Sequence, residues 1–302
     1  MYKKQRGFYR KCLCMLGISL FAVAVMGCGK DSATEGKDNA TSKTVKQEDT
    51  SDKEDSSKDE AASDSDKVEV YRDDEYDQIY SDEGDIYELD EDKMTASFVN
   101  FTLASEYVTI PSTVVCEGKE YTVDSIADEA LSYQDVMEEI VLPDSLTTIG
   151  KEAFCGCTSL KKIVIPDSVV SLGSGTFYDC EVLKEITLGK GIVNLPDEIF
   201  TNCYELKTIN WSESLVSIGR EAFWSCENIK ELTLPDTVVS IGESAFCGSG
   251  IKELTIPSVS VSLTETAFED MYDLEVLYVQ EALVDTAKNC VPYDYIKVKP
   301  IE

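Results

Sequence analysis

The chain has 302 residues, with 27 basic against 58 acidic side chains and no histidine, for a net charge of −31. Residues 30–93 carry −15 and the residues after them −21, so nucleic acid and anionic membrane surfaces are excluded as natural partners by charge repulsion. The absence of histidine excludes Ser-His-Asp and Cys-His nucleophiles, His-ligated zinc and the H-E-x-x-H metalloprotease motif.

The chain opens with Lys3, Lys4, Arg6, Arg10 and Lys11, followed by an apolar run from Leu13 to Met26. That run is short for a membrane-spanning helix, so residues 1–27 read as a signal peptide. The segment ends in Val25-Met26-Gly27-Cys28, which resembles a bacterial lipobox and makes Cys28 the expected lipidation site. Residues 28–85 are rich in Ser, Asp, Glu, Lys, Thr and Ala. Such a segment buries too little apolar surface to offset its chain entropy, and it reads as an acidic, disordered tether. Within it, Asp82-Glu83-Gly84-Asp85 is not an EF-hand: placing Gly84 at the sixth loop position puts Ile79 where a carboxylate is required.

From residue 86 the pattern changes. Ile86 to Leu89, Thr95 to Val99, Tyr107 to Ile110 and Tyr121 to Val123 alternate or cluster β-favouring residues between turn signals. Residues 86–128 are therefore predicted to be β-hairpins ahead of a longer, periodic region at 129–279.

That region has a 23-residue period. Phenylalanine recurs at Phe154, Phe177, Phe200, Phe223 and Phe246, then at Phe268 after 22 residues, and Leu131 holds the same place one unit earlier. Counting each as position zero, +3 is Cys157, Cys180, Cys203 and Cys226. Position +6 is Leu160, Leu183, Leu206 and Ile229, and +9 is Ile163, Ile186, Ile209 and Leu232. Positions +11, +15 and +18 are likewise apolar, as in Ile165, Val169 and Leu172. The +9/+11 spacing is period two, which predicts a short strand. Pro143, Pro166, Pro235 and Pro257 at +12 end it. Gly150, Gly173, Gly219 and Gly242 at +19 are expected where the chain turns back. No unit of this size buries its own apolar residues, so the units must stack. Two places depart from the pattern and predict local distortion: Trp211, in a leucine position, and the unit of Phe246, which is one residue short near Ser249-Gly250 and sets Ser260 at an inward site. Beyond residue 280, Glu281 to Asn289 suggests a short helix and Tyr295 to Val298 a closing strand.

The pattern A-F-x-x-C-x-x-L-x-x-I-x-L-P-x-S-V-x-x-I-G, nearly whole from Ala222 to Gly242, resembles the bacterial BspA-type leucine-rich repeat. The resemblance implies a β-rich repeat solenoid of about seven units. Residues 86–128 would form its β-hairpin N-terminal cap and 280–302 its C-terminal cap, because an open end would expose apolar rungs and strand edges.

Eight cysteines besides Cys28 follow the signal peptide. The four at +3 read as compact buried thiols; disulfides between rungs are the alternative. No C-x-x-C occurs, and no metal or cofactor is expected.

A stack offers a ladder-like surface rather than a pocket. Position +7 is Lys161, Lys184, Lys207, Lys230 and Lys252, beside Thr187, Asn210 and Thr233 at +10. This row serves either as a soluble, association-resistant β-surface or as a basic recognition stripe on an acidic body. Tyr178 and Trp224 at +1 are candidate aromatic contacts.

The resulting expectation is a monomeric, lipid-anchored, noncatalytic module at the bacterial cell surface that binds proteins of a host, matrix or neighbouring cell. It touches the membrane only through its lipid. A polysaccharide- or envelope-binding module is the alternative, and a carboxylate hydrolase a remoter one.

Overall fold

The computed structural model describes residues 67–73, 78–101 and 104–302. The signal peptide, Cys28 and the tether up to residue 66 lie outside the described residues.

Seven strands open the described chain: β1 (Lys67–Asp73), β2 (Gln78–Ser81), β3 (Asp85–Asp90), β4 (Thr95–Phe101), β5 (Tyr107–Thr109), β6 (Thr113–Cys116) and β7 (Lys119–Ile126). Six of them run in the order β7-β4-β3-β2-β1-β6, and β6 pairs again with β7. The circuit closes into a six-stranded barrel. Its interior holds Val70, Ile79, Tyr87, Phe98, Val114 and Tyr121, all buried. Closure leaves no free edge within the barrel, while β5 pairs on one side only, with β8.

The expected boundary at residue 86 is therefore corrected. β1 and β2 fall inside the stretch assigned to the tether, and the cap is a closed barrel rather than a set of hairpins. β1 alternates from Lys67 to Tyr71, with Val70 buried between exposed Glu69 and Tyr71. The acidic residues around it gave the surrounding window the composition of a solvated segment.

The repeats add β8 (Glu139–Val141), β9 (Thr148–Ile149), β10 (Lys162–Val164), β11 (Ser171–Leu172), β12 (Glu185–Thr187), β13 (Asn194–Leu195), β14 (Thr208–Asn210), β15 (Ser217–Ile218), β16 (Glu231–Thr233), β17 (Ser240–Ile241), β18 (Glu253–Ile256), β19 (Val276–Val279) and β20 (Lys297–Pro300). Each regular coil thus carries a three-residue strand and a two-residue strand. The longer strands form the parallel ladders β10-β12-β14 and β16-β18-β19-β20, with β5 paired to β8. The shorter ones form β13-β15-β17, while β9 and β11 extend the cap sheet from β7. Register is one unit per rung: Ile163 faces Ile186, which faces Ile209.

The core is a set of columns. Phe154, Phe177, Phe200, Phe223 and Phe246 stack ring on ring at centroid distances of 5.3, 5.8, 5.4 and 5.7 Å. Each is fully buried, worth about 1.5–3 kcal/mol of transfer free energy per side chain. The +3 thiols are free and buried. Each donates to the carbonyl of the zero position one unit earlier: Cys157 to Leu131 at 3.0 Å, Cys180 to Phe154 at 3.1 Å, and Cys203 and Cys226 to Phe177 and Phe200 at 3.2 Å.

The third side of each coil is held by two left-handed residues flanking the phenylalanine. Positions −2 and +2 have positive φ in every unit from Leu131 to Phe246, as at Glu152 (54°), Asp179 (57°), Glu198 (60°) and Asn202 (63°), while the Phe268 unit keeps it at Asp270 alone. This geometry turns alternate N–H groups toward the next coil, so Glu152, Phe154 and Gly156 donate to Ser174, Thr176 and Tyr178. The +19 glycines do a different job from the turn expected of them. A Cβ at Gly150, Gly173, Gly219 or Gly242 would come within 2.3–2.5 Å of backbone atoms in the preceding coil. Glycine is needed there for close approach.

Both predicted distortions are present. The longer ladder is interrupted between β14 and β16, on either side of Trp211, as it is once before, between β8 and β10. The indole lies edge-on to Phe223 at 6.0 Å, and Ile209 and Trp211 are only partly buried. At Phe246 the register drops to 22, with Glu231 opposite Glu253. Ser260 is exposed, and Val261 takes the inward place. An extra residue between Ile256 and Val261 restores the step.

After Phe268, the helix α1 (Val284–Cys290) buries Ala287 and Cys290, and β20 returns to the ladder beside β19.

Candidate recognition surface

The ladder geometry sets the +7 lysines in line. The Lys184 N–H donates to the Lys161 carbonyl at 2.9 Å, Lys207 to Lys184 at 3.0 Å, and Lys252 to Lys230 at 2.8 Å. All five lysines are exposed. The row has one interruption, at the ladder break: no backbone bond joins Lys230 to Lys207 among the described residues.

Their charges are unevenly committed. Lys161 pairs with Glu138 at 2.5 Å, and this hydrogen bond holds its ammonium above its ordinary pKa. Lys252 pairs with Glu275 at 3.1 Å, while Lys230 donates to the Glu227 carbonyl at 2.7 Å. Lys184 and Lys207 have no ion pair among the described residues. Exposed pairs of this kind are worth at most about 1 kcal/mol each, so a stronger anion would displace them readily.

Position +10 lies beside the row. Val164 is exposed, Thr187 half-buried, and Asn210 and Thr233 exposed. Asn210 Nδ2 donates to Thr187 Oγ1 at 3.0 Å and to Glu185 at 3.3 Å, and Glu185 in turn pairs with Lys162 at 3.0 Å. Beside Lys184 and Lys207, the surface is therefore a connected polar network with both signs of charge.

Tyr178 and Trp224 are half-buried at the corner that carries the left-handed residues, not on the strand face. The structure thus separates the two groups of candidates.

Two surface features escaped the sequence reading. Val170, Val193, Val216 and Val239 at +16 form a column of partly to largely exposed valines. At the C-terminal end, Tyr272, Tyr293 and Tyr295 form a ring stack. Its signal was the 23-residue step from Tyr272 to Tyr295, hidden because α1 lies between them.

The remaining chemistry is sparse. Burial pushes the Cys157 thiol up to about 12 and raises Cys180 and Cys203 well above the usual range, which disfavours thiolate chemistry. Asp85 in the cap is raised, first by burial and then by the charge of Glu83. A shallow pocket of ≈ 390 Å³ lies on the cap, lined by Glu69 to Arg72 with Glu117 and Gly118. No group of three or more metal-ligating side chains occurs among the described residues.

The family described as the BspA type leucine rich repeat region matches in six copies, over residues 124–233 and 194–297. No curated protein matches the chain. Among solved structures, the leucine-rich repeat protein of T. pallidum is 22% identical, covers 70% of this chain and 95% of its own, and superposes with a TM-score of 0.54. A leucine-rich cell surface protein from Faecalibacterium prausnitzii is 23% identical, with coverage of 68% and 71% and a TM-score of 0.46.

Proposed function

Because the chain belongs to the BspA-type leucine-rich-repeat family, whose repeats match more than half of it, we propose that it is a noncatalytic recognition module held at the bacterial cell surface. Its ligands are proteins of a host, an extracellular matrix or a neighbouring cell. Cys28 carries the lipid that anchors it, and the acidic segment that follows links that anchor to the repeats. Support for the surface location comes from the apolar leader ending at Cys28 and from a structural relative described as a cell surface protein.

The observation that carries the recognition reading is the exposed line Lys161, Lys184, Lys207, Lys230 and Lys252 on a body of strongly negative net charge. Basic residues concentrated on one strand face offer an acidic patch of a partner both steering and register. Lys184 and Lys207 are the most available of the five, and the Thr187–Asn210 pair beside them supplies neutral hydrogen-bonding groups.

The test is a binding screen of the mature chain against matrix proteins, mucins and glycans, beside a Lys184→Ser/Lys207→Ser variant. A protein ligand lost or weakened at least tenfold in the variant supports the reading. A ligand bound equally by both forms moves the site off the lysine row. Binding to glycans alone overturns the protein-ligand assignment.

A further inference from the structure

Tyr272, Tyr293 and Tyr295 stand in a row at the C-terminal end of the solenoid. Tyr293 and Tyr295 lie within 5° of parallel with centroids 5.3 Å apart, and Tyr272 follows at 5.6 Å with a tilt of 32°. Tyr272 is 64% and Tyr295 54% exposed, a large amount for rings that pack against one another. Large aromatic side chains left this open on a folded surface mark contact sites.

The row is held in place by its own hydroxyls. Tyr272 donates to Asp270 at 2.5 Å, and Tyr295 donates to the Tyr272 carbonyl at 2.9 Å, one coil away. With the hydroxyls of the two outer rings tied down, ring faces and edges are what remain for a ligand, and little side-chain entropy is left to lose on binding.

The surrounding charge selects the ligand. Asp270 is at the Tyr272 hydroxyl, the charge of Asp273 reaches Tyr295, and Asp294 sits in the chain between Tyr293 and Tyr295. Asp273 and Asp294 are exposed. Against these carboxylates, the basic residue next to the row in the chain is the exposed Lys297, while Lys288 of α1 is paired with Asp285 at 3.2 Å. A π-face rimmed with carboxylates repels anions and attracts cations, and planar guanidinium groups both stack on tyrosine and fork onto carboxylates. The same end of the molecule holds an internal example, with the Lys299 ammonium 5.6 Å from the Tyr278 ring centroid.

We propose that the Tyr272–Tyr293–Tyr295 row with Asp273 and Asp294 is a docking site for an arginine-containing basic segment of a partner protein. The proposal extends the recognition reading but is independent of the lysine row, which faces ligands of the opposite charge.

The probe is an alternating glycine–arginine octapeptide, titrated calorimetrically into the mature chain, with its glycine–lysine counterpart and a neutral hexasaccharide alongside. Diffuse attraction to an acidic protein depends on net charge, so the deciding variants leave charge unchanged. Tyr295→Ala is expected to weaken the arginine peptide about tenfold. Tyr295→Phe, which keeps the ring, is expected to stay within about twofold, and Lys184→Ser/Lys207→Ser is expected not to weaken binding. The lysine peptide is expected to bind more weakly than the arginine one. Unchanged affinity in Tyr295→Ala would show that attraction to the probe is diffuse and would overturn the site. Equal losses in the Phe and Ala variants would mean that the hydroxyl contact, not the ring, is at work, and would overturn the stacking argument. No binding of the arginine peptide, or Tyr295-dependent binding of the hexasaccharide instead, also overturns it.

Discussion

At the level of single residues, the repeat uses unusual choices for definite reasons. The +3 position needs a small apolar group that also donates to a carbonyl one coil away, and a thiol meets both needs. Serine would carry the donor but would be costlier to bury, and alanine would leave the carbonyl without that donor. The burial of these thiols has a pH consequence. Cys157 is held near 12 against an ordinary 9.0, and desolvation likewise raises Cys180 and Cys203 well above it. A thiol whose folded pKa is raised stabilises the fold fully below about pH 9 and loses that contribution as pH climbs toward the folded value. Each such thiol should then remove about 1.4 kcal/mol of stability per pH unit above 9. Urea midpoints at pH 8 and pH 10 check this: the wild type should fall steeply, and a variant with the four +3 cysteines changed to alanine should fall less. Equal slopes would show that other groups dominate the alkaline transition. The cysteine column was legible in the sequence because it repeats in register. The left-handed residues were not, because Glu, Asp, Asn, Ser and Gly share those positions and only the backbone shows their common conformation.

Between neighbouring elements, the longer ladder is interrupted twice, between β8 and β10 and, at Trp211, between β14 and β16. Regular coils hold leucine or isoleucine at +11, and their N–H donates to the next coil, as Leu188 does to Asn210 at 2.9 Å. Trp211 is too large for that slot. Its ring turns edge-on to Phe223, and β14 and β16 no longer pair, while the β13-β15-β17 ladder passes through unbroken. The indole therefore acts as a wedge on one face. Trp211→Leu should let β14 and β16 pair. Amide exchange at residue 211 and at Lys230 should then slow by at least tenfold, since the N–H groups move from the break into ladder bonds. Unchanged exchange would mean that the break has a cause other than the indole. The size mismatch at Trp211 was visible in the sequence. The compensation at Phe246 was not: a missing residue before β18 is offset by an extra one before Val261, and the 22-residue step comes from a second residue missing between Val261 and Phe268, so a count from phenylalanine to phenylalanine sees only the net loss of one. The lysine row was readable because five lysines share one register position, whereas the tyrosine row became visible only when α1 was seen to leave the ladder and β20 to rejoin it.

The stability of the whole solenoid depends on its ends, since each coil is buried only by its neighbours. At the N-terminal end the barrel meets this need by closure. β7 pairs through Lys119–Thr122 with β6 and through Ser125 and Ile126 with β9, so one strand belongs both to the barrel and to the first rungs of the stack. Closure in turn depends on β1, which lies parallel to β6 from Lys67 opposite Thr113 to Val70 opposite Cys116 and antiparallel to β2. Composition concealed these two strands, because their inward residues are few and their surroundings acidic. A chain beginning at residue 86 would lack Val70 and Ile79 from the barrel interior, both less than 10% exposed in the intact fold. It would also open the edges of β3 and β6, and unpaired edges of this kind recruit other chains. The 86–302 fragment is therefore expected to melt at least 5 °C below a fragment starting at residue 67 and to elute as a mixture of oligomers, whereas 67–302 should elute as one species. Melting curves and size-exclusion chromatography of the two fragments decide the point. If 86–302 matched 67–302 in both, the barrel would be an accessory to the solenoid rather than its closing element.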